Sequence, residues 1–160
     1  MNLTRSLISI LIFAFVTLMI TSAGFASNST NLEKHDFDSY FTMDIPKGIS
    51  FEKKEGMPSK DINFTVNYKE KQGRINIIYT ESIGAKDNLL KYYEDFAKND
   101  PNITLNTTNN TTVVHFKDTN FIGETNYHDL AISGDDDRYL LIQCDNESLM
   151  KSMAKSIRFK

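Results

Sequence analysis

The chain has 160 residues, 40% of them hydrophobic and 24% charged, which is the length of one domain and a composition that excludes wholesale disorder or a collagen-like chain. Eighteen basic against 21 acidic side chains give a net charge of −3, so there is no basic footprint for nucleic acid. The single cysteine excludes an intramolecular disulfide.

The first segment speaks to compartment. No charged residue occurs from Ser6 to Ala26. Arg5 and the amino terminus precede an apolar stretch from Leu7 to Val16, and Gly24 with Ala26 forms a cleavage pattern before Ser27. A positive start, an apolar centre and a small-residue exit are the parts of a secretory signal. The charge stays cytoplasmic while the apolar centre enters the membrane. The run is also just long enough to span a bilayer, so residues 1–26 are read as a signal peptide, with an N-terminal membrane anchor as the alternative. No cysteine follows the run, which excludes a lipoprotein anchor. Either way the remainder is expected to be secreted or held on the outer face of the cell membrane, touching the bilayer only through its N-terminal segment.

Residues 27–36 are polar and read as a tether, leaving 37–160 as the domain. Phe41, Met43 and Ile45 alternate with polar residues up to Pro46-Lys47-Gly48, and Ile49 with Phe51 restarts the pattern. Ile62, Phe64, Val66 and Tyr68 alternate in turn, and after Lys71-Gln72-Gly73 the alternation resumes at Ile75, Ile77 and Tyr79. Period two predicts four half-buried strands. Leu89, Tyr93 and Phe96, widened by Leu90 and Ala97, fall at helical spacing, and Asn99-Asp100-Pro101 stops that helix. Residues 104–108 and 111–116 flank Asn109-Asn110, a hairpin turn because asparagine tolerates positive φ. Residues 127–132 and 138–144 flank a longer loop, Ser133 to Asp137. Leu149, Met150, Met153 and Ile157 then mark a final helix, with Asp145 or Asn146 as its N-cap.

The order ββββ-α-ββββ-α with short connections predicts an α+β fold, an α/β/α sandwich with a mainly antiparallel sheet. In the last hairpin Leu140, Ile142 and Cys144 face one way and Tyr139 and Leu141 the other, which predicts a sheet covered on both sides by one helix each.

Two short stretches carry a family resemblance: Phe41-Thr42-Met43-Asp44-Ile45-Pro46-Lys47-Gly48, and Leu149 through Phe159, a helix running into Ser156-Ile157-Arg158-Phe159. With the element order, they resemble the PsbP-like fold over residues 37–160. That family is named for an extrinsic photosystem II subunit and includes a Ran-binding nuclear import factor. Members often show Pro-x-Gly-Trp after the first strand; here Ile49 follows Gly48, and the chain has no tryptophan. The resemblance implies an α/β/α sandwich and a docking role without catalysis. Photosystem and Ran functions do not carry over to a chain with an export signal, and function inferred from fold is analogy.

Catalysis needs polar groups converging in a cleft, and the sequence supplies no such set. His35 falls in the tether. His115 alternates with Val114 and Phe116 and so points away from their core face. His128 shares a face with Leu130 and reads as a hydrogen-bonded sheet histidine. Cys144 reads as a small apolar filler at a strand end; a small envelope enzyme built on His128, Asp129 or Cys144 is the rival. There is no Gly-rich phosphate loop and no His-Glu-x-x-His helix, and no cofactor is expected. Asp135, Asp136 and Asp137 concentrate charge at a hairpin tip, a weak divalent-cation candidate lacking the ligand spacing of a calcium loop.

Asn28, Asn63, Asn102, Asn106, Asn109, Asn110 and Asn146 each begin an Asn-x-Ser/Thr triplet outside the leader, the acceptor pattern for glycans on exported chains. Asn109 and Asn110 are too close to be modified together. The Asn-, Lys- and Ile-rich composition is what an AT-rich prokaryotic genome encodes, archaeal or low-GC bacterial. The expected function is an exported, non-enzymatic interaction module at the cell envelope. It would recognise an unidentified protein or envelope component through a sheet face or edge.

Overall fold

The computed structural model describes residues 31–56, 64–119, 125–144 and 146–160, with the backbone alone of 118–119 and 125–128. In chain order the elements are β1 (Leu32–Phe37), β2 (Phe41–Pro46), β3 (Phe51–Glu55), β4 (Phe64–Glu70), β5 (Ile75–Glu81), α1 (Ala85–Asn99), β6 (Ile103–Thr108), β7 (Thr111–Thr119), β8 (Thr125–Gly134), β9 (Arg138–Cys144), α2 (Glu147–Ser156) and β10 (Arg158–Phe159). The strands form a three-stranded sheet, β1-β2-β10, and a seven-stranded sheet, β3-β4-β5-β9-β8-β7-β6. Paired strands are antiparallel throughout the described residues. Among the described residues the fold is α+β, with two helices and more strand than the sequence pattern implies.

Both extra strands belong to the small sheet. Residues 32–36, expected as tether, pair with β2 from Leu32↔Pro46 to Phe37↔Phe41. Glu33-Lys34-His35-Asp36 hides this strand because an edge strand keeps one rim in water and accepts charge. His35 therefore sits in β1, its ring edge-on to Phe37 at 4.5 Å. β10 is two residues long, too short to show a period. β2 is the centre of the small sheet and not a member of the large one. Phe41, Met43 and Ile45 are fully buried because that face lies on the seven-stranded sheet.

Alternation in the large sheet divides the core in two. On one face Ile75, Ile77, Tyr79, Leu140 and Ile142 meet Met150 and Met153 of α2 together with the buried side of β2. On the other, Val114, Leu130, Ile132 and Tyr139 meet Leu89 and Tyr93 of α1. Phe96, expected in the buried stripe of α1, is 42% exposed and packs on Tyr92 at 4.6 Å. The edge strand β3 reads Phe-Glu-Lys-Lys-Glu and is mostly exposed, a charged rim that resists pairing with other chains. No helix among the described residues is long and apolar enough to cross a membrane.

Asn146 is the N-cap of α2: its Oδ1 accepts the Leu149 N–H at 2.9 Å. Asp145, the alternative cap, lies outside the described residues. Asn146→Ala is expected to cost about 1 kcal/mol, read as a lower thermal midpoint with unchanged circular dichroism at low temperature.

Candidate functional site

α2 crosses β2, β8 and β9, and the β6–β7 hairpin projects beyond it. Between the helix flank and the uncovered part of the sheet lies a groove of about 650 Å³. Its floor comes from Asn106, Thr108, Thr111, Val113 and Ser133. The register pairs Asn106 with Val113, Thr108 with Thr111, and Thr111 with Ser133, so these side chains share one face. The Thr111 and Ser133 hydroxyls hydrogen-bond at 2.9 Å. Threonine and asparagine here follow from the site: beyond the reach of α2 the face meets water, and an apolar edge would invite aggregation.

Lys151, Ala154 and Lys155 form the opposite wall, continued by Ile157 and Arg158. Steps of three and four place them on one stripe of the helix and its exit. Arg158 is held in place by donating Nη1 to the Ile157 carbonyl at 2.6 Å. Three cations thus line one wall in a chain of net charge −3. Asp135, also at the groove, is already committed to Arg138 at 3.2 Å.

The lysine wall continues into an ionic cluster. Lys151 pairs with Glu147 one turn earlier and holds its carboxyl below the usual carboxylate range, with His115 adding a smaller effect. Glu147 Oε1 lies 3.7 Å from His115 Nε2, and His115 Nδ1 lies 2.8 Å from Asp129 Oδ1. His115 and Asp129 are direct cross-strand partners on β7 and β8. Among the described residues these three form a group of histidine and acid side chains whose ligand atoms all lie within 4.8 Å of one another. His115 does face away from Val114 and Phe116. That second face is itself roofed by the start of α2, so the imidazole is half-buried.

The acidic triplet is divided between partners. Asp135 caps the hairpin tip: its Oδ1 accepts the N–H of Asp137 at 3.3 Å and of Arg138 at 2.7 Å. Asp136 instead faces Asp87 in the first turn of α1, and that second carboxylate raises its pKa. Cys144 is buried at the end of β9 opposite Ile75, inside the core under α2. The backbone of His128 pairs with Phe116, and its side chain lies outside the described residues. Of the glycan-acceptor positions, Asn28 and Asn63 lie outside them too. Asn102, Asn106, Asn109 and Asn110 are exposed, and Asn146 is half-buried.

Neither the lysine stripe nor the Glu147 and Asp129 contacts of His115 are among the expectations drawn from the sequence. Lys151, Lys155 and Arg158 are legible as a periodic row on the outer flank of the last helix; the contacts need the strand register and the docking of α2. No family model matches the chain, and no curated protein shows significant similarity to it.

Proposed function

We propose that the chain is an exported binding module of PsbP-like type, an α/β/α sandwich that recognises an acidic, hydroxyl-rich partner or envelope component in the groove beside α2. The observation that carries this reading is the groove's chemistry. Hydroxyl and amide groups of Asn106, Thr108, Thr111 and Ser133 form one side, and the charges of Lys151, Lys155 and Arg158 form the other. Hydrogen bonds to charged groups contribute about 1.5–3 kcal/mol each, so a few such contacts support specific recognition with no reacting group. The placement of Cys144 in the core favours binding over thiol chemistry, since a reactive cysteine needs exposure and a positive neighbour.

Charge reversal tests the reading. The double substitution Lys155→Glu and Arg158→Glu is expected to weaken sedimentation of the chain with envelopes from the source cells by about tenfold or more. Raising the salt concentration should weaken the unsubstituted chain in the same assay. Undiminished co-sedimentation of the double variant, with its thermal midpoint unchanged, would remove the groove from the interaction.

A further inference from the structure

We propose that His115, Asp129 and Glu147 form a divalent transition-metal site, with Zn²⁺ the expected ion. The three side chains come from β7, β8 and the first turn of α2, so an ion held there would tie the helix to the sheet. Asp129 Oδ1 lies 2.8 Å from Nδ1 of His115, and a carboxylate in that position accepts a hydrogen bond from Nδ1–H, which keeps the proton on that nitrogen. The lone pair of the neutral imidazole is then on Nε2, the arrangement in which a carboxylate orients a metal-binding histidine and raises its basicity.

Nε2 faces Glu147 Oε1 at 3.7 Å. In the neutral ring two electron-pair donors oppose each other there, too far apart for a direct hydrogen bond; in the protonated ring Nε2 pairs with the carboxylate instead, so zinc competes with that proton. A cation between them resolves the opposition. A zinc–nitrogen bond of about 2.0–2.1 Å and a zinc–oxygen bond of about 2.0–2.2 Å meeting at a tetrahedral to trigonal angle span about 3.3–3.7 Å, and the observed 3.7 Å lies at the upper end of that range. An imidazole with one carboxylate suits zinc better than magnesium, which prefers an all-oxygen octahedron. His115 and Glu147 are the direct ligands; Asp129 is a positioning residue acting through the imidazole.

Lys151 is the resident competitor. Its ammonium pairs with Glu147 through the same Oε1 that faces His115, so zinc must displace it. Removing that ammonium therefore tightens zinc binding, an effect that a structural lesion cannot imitate.

The test is calorimetric titration of Zn²⁺ into the purified full-length chain in detergent at neutral pH, with Mg²⁺ as the control ion. The expected result is one zinc per chain and no response to magnesium. His115→Ala and Glu147→Gln should weaken zinc binding by at least about tenfold, and Asp129→Asn by about 10–100-fold. Lys151→Met should tighten it several-fold. Each variant's thermal midpoint without zinc guards against misfolding. The assignment is overturned if zinc gives no response at millimolar concentration. It is equally overturned if His115→Ala and Glu147→Gln bind zinc like the unsubstituted chain, which would move the ion to other side chains. Weaker zinc binding in a folded Lys151→Met variant would also sink it.

Discussion

Replacing Phe41 by alanine is expected to lower the unfolding free energy by about 3–5 kcal/mol, a large fraction of the stability of a domain this size. The ring has 0% exposure. It stacks on Phe37 at 4.6 Å and 14° and on Tyr79 at 5.7 Å and 25°. Its backbone pairs with β1 on one side and β10 on the other, through Phe37 and Phe159. Truncation leaves a cavity between the two sheets and loosens both edge strands together. A thermal midpoint lower by about 10 °C or more follows for a domain of this size. Phe96→Ala is the matched control: that ring is 42% exposed on α1, and its loss should cost about 1 kcal/mol or less. Similar losses for the two would mean that the three-stranded sheet does not pack on the larger one.

Gly134→Ala is expected to cost about 2–5 kcal/mol, combining backbone strain with overpacking. Gly134 has φ 143°, and a Cβ there would lie 2.3 Å from the Arg138 carbonyl oxygen and 2.7 Å from the Tyr139 Cα. Those are backbone atoms of the opposing strand, and β8 pairs with β9 through Gly134↔Tyr139 at that point, so the strand cannot retreat without losing its register. Gly48 provides the comparison. It has φ 77°, and a methyl group at its Cα would meet nothing within 4 Å, so Gly48→Ala should cost only about 1 kcal/mol of backbone strain. Denaturant titrations of the two variants measure the difference. Equal midpoints would show that the hairpin yields freely at Gly134.

The elements most legible in the sequence are those with one face buried and the other polar. Val66, Tyr68, Ile75, Ile77 and Tyr79 announce β4 and β5 because each second residue enters the core, and Asn109, at φ 54°, announces the turn between β6 and β7. β1 stays hidden in the sequence since only Phe37 among its residues is fully buried. The stripe of α1 misleads at Phe96, since the helix ends over β6, where the sheet no longer reaches its outer flank. The candidate sites are less legible for a different reason. His115 meets Asp129 through a register fixed by the β7–β8 pairing, and Glu147 through the docking of a helix more than thirty positions later. No local pattern encodes a contact of that kind.

Because β1 begins at Leu32, the segment between the expected cleavage point and the folded body shrinks from ten residues to 27–31. Five residues reach at most about 18 Å when fully extended. If residues 1–26 stay in the bilayer, the body rides on a short leash, close above the lipid headgroups. On the proposed function, the groove would then meet its partner at the membrane surface, within one domain's diameter of the lipid.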